Sequence, residues 1–259
     1  MAETKKIYPQ LAIENNKKPN RWLAFPLLGI MVKIVILIPV FIELAILYFV
    51  STIILFINWF IILFTGKYWD SAYSLFIGIM RLETKVRFYL FGITDKYPGF
   101  NFETKGILEL NIEKPQKPNR WLAIPFIGIL IRAILLIPYF IFVDVISRGA
   151  GVAMVLSWFV VLFKGIFPES FYEFEKDSLR VDIAYSAYIY GLSDEYPSFS
   201  ISMNHQSVKI ALIIVGAILA VFNFFGQIGS TVERVNQVSN SKYQYKNTPK
   251  SNYNYYNTY

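Results

Sequence analysis

Cysteine is absent from this chain and histidine occurs once, at His205. The first absence excludes disulfides, thiolate nucleophiles, iron–sulfur clusters and cysteine-type zinc sites, and the second leaves nothing for a histidine metal cluster. No glycine-rich phosphate loop is written anywhere, and His205, in Asn204-His205-Gln206, has no serine or acid spaced as a triad around it. The expectation is a protein with no cofactor, no metal and no catalytic residue. Charge is scarce in long stretches: Trp22 to Phe64 holds only Lys33 and Glu43, and Val208 to Gly226 only Lys209. A segment of about 20 such residues spans a bilayer, so the composition, 55% hydrophobic with a mean hydropathy of +0.42, is that of an integral membrane protein. The net charge of +7 is carried by cations that flank the apolar segments, which points to anionic headgroups as partners and away from nucleic acid.

What the chain does contain, it contains twice. "KKPNRWLAFPLLGIMVKIVILIP" from Lys17 to Pro39 returns as "QKPNRWLAIPFIGILIRAILLIP" from Gln116 to Pro138. The register holds without a gap from Arg21 and Arg120 to "DKYPGF" (95–100) and "DEYPSF" (194–199). The chain reads as membrane repeats at 6–104 and 105–203, a transmembrane helix at 208–228 and a Tyr/Asn-rich tail at 229–259 whose composition cannot bury a core and is expected to be disordered.

Each apolar run, Trp22–Phe64 and Trp121–Phe163, is about twice the length a bilayer needs at 1.5 Å per residue, which predicts a helical hairpin reversing near Pro39 and Pro138. An amphipathic helix follows, carrying Arg81 and Lys85 in repeat 1 and Arg180 in repeat 2, expected on the bilayer surface or over a small sheet. That sheet is read from period-two stretches: "FNFE" (100–103) pairing with "ILELNIE" (107–113) through a turn at Thr104-Lys105-Gly106, joined by "IYPQLAIE" (7–14) and "FSISM" (199–203). The fold class is thus an α-helical integral membrane protein with a small membrane-surface β-sheet, built from two pseudo-symmetric repeats of strand, helical hairpin, amphipathic helix and strand, plus one C-terminal transmembrane helix. Basic flanks at Lys5, Lys6, Lys17, Lys18 and Arg21, and again at Lys114, Lys117 and Arg120, place the N-terminus and the centre in the cytoplasm.

With these pieces in place, each repeat resembles a family of bacterial membrane proteins known as domain of unknown function 4389. Repeat 1 carries the resemblance on Arg21, Trp22, Pro26, Thr65, Gly66, Tyr68, Arg81, Lys85, Val86, Tyr89, Asp95, Tyr97, Pro98 and Phe100. Repeat 2 does so on Arg120, Trp121, Pro125, Gly165, Pro168, Arg180, Tyr188, Asp194, Tyr196, Pro197 and Phe199, with Ala184 where repeat 1 has Lys85. The resemblance implies a multi-pass protein of the bacterial inner membrane and supplies no catalytic residue.

The candidate site residues are the recurring ones. On a continuous helix Trp22, Pro26, Gly29 and Lys33 share an arc of about 60°, as do Trp121, Pro125, Gly128 and Arg132, giving two seams that each end in a lone cation. A cation near mid-bilayer is costly, so a partner is expected: an acid, a freed carbonyl or a lipid phosphate, the last preferred. Arg21, Trp22, Lys33, Arg120, Trp121 and Arg132 are therefore the expected lipid or anion contacts, and Asp144 with Arg148, four apart, an expected ion pair private to repeat 2. Glu83 and Asp182 recur as lone acids and read as part of a polar helix face. The function expected is non-enzymatic: an organising or accessory membrane protein touching anionic lipid, other membrane proteins or copies of itself. The alternative is a small transporter, channel or lipid-translocating protein with its site between the repeats, in which Lys33 and Arg132 would face each other across a cavity.

Overall fold

The computed structural model describes residues 9–13, 19–102 and 108–247, the side chains of 12, 13, 108 and 241–247 excepted. The turn proposed at 104–106, the basic residues Lys5, Lys6, Lys17 and Lys18, and residues 248–259 lie outside them. The described chain is mostly helical, with two short strands, β1 (Gln10–Ile13) and β2 (Leu108–Asn111), and six α-helices. These are α1 (Leu28–Thr65), α2 (Asp70–Phe91), α3 (Ile127–Leu135), α4 (Ile137–Lys164), α5 (Glu169–Ile189) and α6 (Gln206–Asn247). α1, α4 and α6 are long and apolar enough to cross a membrane.

The expected hairpins are not formed. α1 is one 38-residue helix with Pro39 inside it. At 1.5 Å per residue it is about 57 Å long. It stays whole because Leu37 before the proline and Val40 and Leu44 after it form one buried stripe against Ile79, Leu82, Val86 and Tyr89 of α2, and a reversal at Pro39 would split that stripe. In repeat 2 the proline interrupts without reversing. Leu136 separates α3 from α4, yet its N–H still bonds Arg132 O and Phe140 N–H bonds Leu136 O, and Pro138 sits in the first turn of α4, where its missing donor costs little. The two-two-one arrangement of five hydrophobic helices gives way to three candidate spans.

The sheet has two strands, paired differently from expectation. β1 runs antiparallel to β2, Gln10 opposite Asn111 and Ile13 opposite Leu108, so the strands that open the two repeats pair with each other. The described residues 100–102 and 199–203 form no strand. Their backbone is held by side chains instead. Lys85 Nζ donates to Asn101 O at 2.7 Å, and Arg180 Nη2 donates to the equivalent carbonyl, Ser200 O, at 2.5 Å.

α2 and α5 are the buried helices of the fold and not surface-lying ones. Lys85 and Arg180 are 1% and 5% exposed, and Arg81 donates to Leu110 O, holding β2 on α2. The core has one shared and two private parts. The shared part joins Leu55 and Ile62 of α1, Phe76, Met80 and Phe88 of α2, Leu110 and Ile112 of β2 and its flank, Val161 of α4, and Leu179 and Ile183 of α5. α1 with α2 closes one private part, and α4 with α5 closes the other, where Leu212 at the start of α6 also packs. Here α6 meets α4 backbone to backbone, because Gly149 and Gly216 carry no Cβ: one at Gly216 would be driven into Val145 O.

The chain divides into two compact units, residues 1–217 and 218–259. In the second, α6 continues to Asn247, so residues 229–247 are helical where the composition suggested a disordered tail. They contain no proline before Pro249 and several good helix formers, which the Tyr/Asn bias obscures.

Glu175, on the inner face of α5, is 0% exposed and neither carboxylate oxygen has a hydrogen-bond partner among the described residues. Burial pushes its pKa well above the usual carboxylate range. A raised folded-state pKa means that stability is fully present below the unfolded value, about 4.3, and is lost as pH rises toward the folded one. Glu175→Gln is expected to remove this loss, so its melting temperature in detergent should match wild type near pH 4 and exceed it increasingly toward pH 8. Parallel pH profiles would place the ionisation elsewhere.

Candidate functional site

The two halves of the repeated motif meet in space. The chain enters each repeat through an Asn-Arg-Trp corner. Asn20 Oδ1 accepts from Trp22 N at 3.0 Å, and Asn119 Oδ1 accepts from Trp121 N at the same distance. The Asn backbones donate forward to the closing motif, Asn20 N to Asp95 Oδ2 at 2.7 Å and Asn119 N to Asp194 Oδ2 at 2.9 Å. Each repeat is thereby tied from its first residues to its last.

The corner itself is not helical, which corrects the seam drawn from Trp22 through Pro26. Trp22–Ala24 and Trp121–Ala123 are single 3-10 turns, and helix begins only at Leu28 and Ile127. Between them Leu27 and Phe126 have φ of 63°, and Leu28 N–H bonds Pro26 O as Ile127 N–H bonds Pro125 O. That is the rare, strained γ-turn. It is held in place by the glycine two residues on: a Cβ at Gly29 or Gly128 would run into the carbonyl of Leu23 or Leu122, so only glycine lets the 3-10 turn fold back on the helix start. The consequence is a blunt corner with large side chains thrust outward, Trp22 84% and Leu27 74% exposed in one repeat, Trp121 76% and Phe126 74% in the other.

Gly29 and Lys33 do share a helix face, as do Gly128 and Arg132, and the cations turn inward. Lys33 is 2% exposed, sits 5.5 Å from the Tyr89 ring centroid, and is coupled to Asp95. Arg132 is 4% exposed. Its Nη1 donates to Tyr188 O at 2.7 Å and Ser193 O at 3.0 Å, its Nη2 to Asp194 Oδ1 at 2.5 Å, and its plane lies 5.0 Å from the Tyr188 ring centroid. Tyr97 and Tyr196 of the closing motif pack edge-on against Tyr89 and Tyr188. An acid and a tyrosine ring thus accompany each cation, two carbonyls join them at Arg132, and both cations are buried inside the protein.

Arg21 and Arg120 act across the repeats. The Arg21 guanidinium lies against Gly165, the residue that ends α4, and Arg120 lies against Gly66, which ends α1. Each exposed cation stands at the negative end of the other repeat's long helix. Neither has an ion pair among the described residues.

The floor of the Arg132 site also comes from the other repeat. A narrow cleft of about 10 Å³, no larger than one water, is lined by Asn58, Tyr68, Asn119, Arg132 and Asp194 among others. Asn58 Oδ1 accepts from Trp69 N, while Asn58 Nδ2 and the Tyr68 hydroxyl, both buried, lie within reach of each other and make no well-formed hydrogen bond among the described residues. The equivalent positions around Lys33 are Ser157 and Phe167, so only the Arg132 side carries these two polar groups. A lone amide inside an otherwise apolar run was the signal for Asn58, and a search confined to charges passes over it.

A second polar cluster joins α2 and α5. Arg87 bonds Glu83 at 2.8 Å and Asp182 at 2.7 Å beside a water-sized cavity of about 10 Å³. Glu83 and Asp182 are repeat equivalents, so the duplication sets two acids together and a single arginine serves both, with Ser186 standing where repeat 2 would have its own. Burial pushes Asp182 up despite Arg87, whereas burial fails to offset the two acids at Arg87, which is raised. The partners disagree on which effect dominates, and for the acid it is burial. Reading each repeat alone hides Arg87 because its counterpart is uncharged. Asp144 and Arg148 form an ion pair at 2.9 Å, and His205 Nδ1 lies 3.0 Å from Glu173.

The family described as Domain of unknown function (DUF4389) matches the chain twice, over residues 28–101 and 127–200. No curated protein and no solved structure matches. Both matched segments run from the cation-bearing helix to the closing aspartate motif, so they hold Lys33 with Asp95 and Arg132 with Asp194 and leave the Asn-Arg-Trp corners outside.

Removing a buried cation strands its partners, and Arg132 has more of them than Lys33. Arg132→Met is expected to cost about 3–5 kcal/mol of stability, the range for breaking a buried pair from one side. Lys33→Met, whose cation forms no hydrogen bond among the described residues, should cost clearly less. Thermal unfolding of the two purified variants checks the order, and equal losses would contradict it.

Proposed function

For a chain that belongs to the DUF4389 family and carries its domain twice, we propose a non-enzymatic role in the bacterial inner membrane, as a multi-pass organising or accessory protein whose corners engage anionic lipid. The observation that carries this reading is the pair of Arg-Trp corners. In each, an exposed guanidinium without an ion pair stands beside an exposed indole and a second outward apolar side chain. Indoles prefer the headgroup level and a guanidinium can hold two phosphate oxygens at once. The lipid-contacting role falls to Arg21, Trp22, Arg120 and Trp121, while Lys33 and Arg132 act from inside, orienting the loops that set the corners.

The basic flanks support a cytoplasmic N-terminus. The exposed faces of α1 and α4 support insertion: α1 buries one narrow stripe and offers apolar side chains around the rest of its circumference. A second reading rests on the Asn58–Tyr68 cleft, which is water-sized as it stands and would have to widen for its buried amide and hydroxyl to meet a polar ligand between the repeats. That is the site a transporter or lipid-translocating protein would need. Against it, Lys33 and Arg132 are each enclosed by their own repeat's closing motif.

The test is lipid retention. Purified protein is expected to keep phosphatidylglycerol over phosphatidylcholine after mild delipidation, and Arg21→Gln with Arg120→Gln should reduce that preference at least twofold without changing the melting temperature by more than a few degrees. An unchanged preference in the folded double variant would falsify the corner reading. Loss of preference in Asn58→Leu with Tyr68→Phe instead would favour the cleft.

A further inference from the structure

The lipid reading leaves unused the polar cluster where α2 meets α5. The repeats are related by a two-fold, visible in the sheet, where Leu11 pairs with Leu110, its own equivalent. The same relation brings Glu83 to its equivalent, Asp182, and both carboxylates rest on one guanidinium: Arg87 Nη2 donates to Glu83 Oε1 at 2.8 Å and Nη1 to Asp182 Oδ2 at 2.7 Å. Two acids on one cation leave one negative charge unbalanced, and like charges held this close favour uptake of a proton. The other side chains facing the pair bring hydroxyls and no further cation. Tyr48 of α1 and Tyr190 beyond α5 face Glu83, Ser147 of α4 donates to Asp182 Oδ1 at 3.3 Å, and Tyr139 of α4 lies near the same acid. Asp144 and Arg148, on either side of Ser147 in sequence, pair with each other.

We propose that this cluster is a proton-operated tie between the repeats, in which a proton taken up by Asp182 releases α5 from α2. Glu83 and Arg87 stand one turn apart on α2, so their pair survives the change, whereas the Arg87–Asp182 bond is the ionic link from helix to helix. With a proton on Oδ2, Asp182 no longer accepts from Arg87 Nη1, the guanidinium stays with Glu83, and the cluster becomes neutral. Asp182 is the acid that takes the proton because it is the more enclosed, its side chain 22% exposed against 33% for Glu83, and burial pushes its pKa above the ordinary carboxylate value. The partial exposure of all three side chains gives the proton access. The tie therefore holds at neutral pH and opens as pH falls through the folded-state value of Asp182.

The absence of cysteine makes the test direct. Ser71→Cys with Ser170→Cys in the full chain places spin labels at equivalent positions near the starts of α2 and α5, away from the cluster. Between about pH 8 and pH 5 the interspin distance of the purified protein is expected to change by about 2 Å or more, the size of a helix shift at an interface. Asp182→Asn, which cannot take the proton, should give the low-pH distance at both ends of the range. Glu83→Gln, which removes the like charge, should move the midpoint to lower pH, and Glu175→Gln should leave the change intact. A distance that does not respond to pH, an Asp182→Asn variant that still responds or stays at the high-pH distance, or a response abolished by Glu175→Gln overturns the proposal.

Discussion

A cation inside an apolar helix is the constraint from which the repeat is built. Lys33 and Arg132 are 2% and 4% exposed among apolar neighbours, and a buried charge is costly unless something meets it. What meets it comes from the far end of the same repeat: the aspartate of the Asp-x-Tyr-Pro motif and the tyrosine one helix earlier, joined at Arg132 by the carbonyls of Tyr188 and Ser193. The same aspartate accepts from the asparagine that opens the repeat. One acid therefore fastens the entry corner, the buried cation and the exit loop together, and the spacing between distant motifs becomes a single contact. The charge is retained because it specifies where the loop must close.

The duplication has then diverged under the same geometry. Repeat 1 holds the carbonyl of Asn101 with Lys85, while repeat 2 has lost that lysine to Ala184 and holds the equivalent carbonyl of Ser200 with Arg180, one helical turn earlier. The position to be satisfied is conserved between the halves and the residue that satisfies it is not. At the α2–α5 contact the reverse occurs: both acids are kept and one arginine is shared. A buried acid in a partly satisfied cluster is costly, so Asp182 tolerates its place only while Arg87 stays.

The sequence made legible whatever repeats or is periodic. The two repeats, the apolar runs, the α2 and α5 positions and the importance of the Arg-Trp and Asp-x-Tyr-Pro motifs could all be read at a fixed offset. The unbroken α1 could not, because proline and run length both argue for a reversal, and only the α2 partner shows why Leu37, Val40 and Leu44 must stay in one line. The non-helical corner was hidden because Trp22, Pro26 and Gly29 happen to fit a helical arc, whereas glycine serves there to let a strained turn approach. Strand pairing failed for a related reason: alternation marks β2 but does not say whether its partner is its neighbour in sequence or its equivalent in the other repeat. Asn58, Arg87 and Glu175 are each private to one repeat, so a reading that rests on recurrence passes them by.

Why two repeats are needed follows from what each lacks. Taken alone, repeat 1 would end α1 at Gly66 with carbonyls facing an empty corner, since the guanidinium that stands there is Arg120 of the other repeat. Its strand would have no partner, because β1 pairs only with β2 among the described residues. Its central core would be open, because Leu55, Ile62 and Phe76 are covered by Val161, Leu179 and Ile183. Repeat 2 alone would lack the reciprocal set, with Arg21 missing from Gly165. Each entry corner is thus completed by the end of the other repeat's long helix, and two copies in one chain supply both corners at once. A buried cation explains how a repeat closes on itself; the core and the strand pairing that the two repeats share explain why one repeat is not enough.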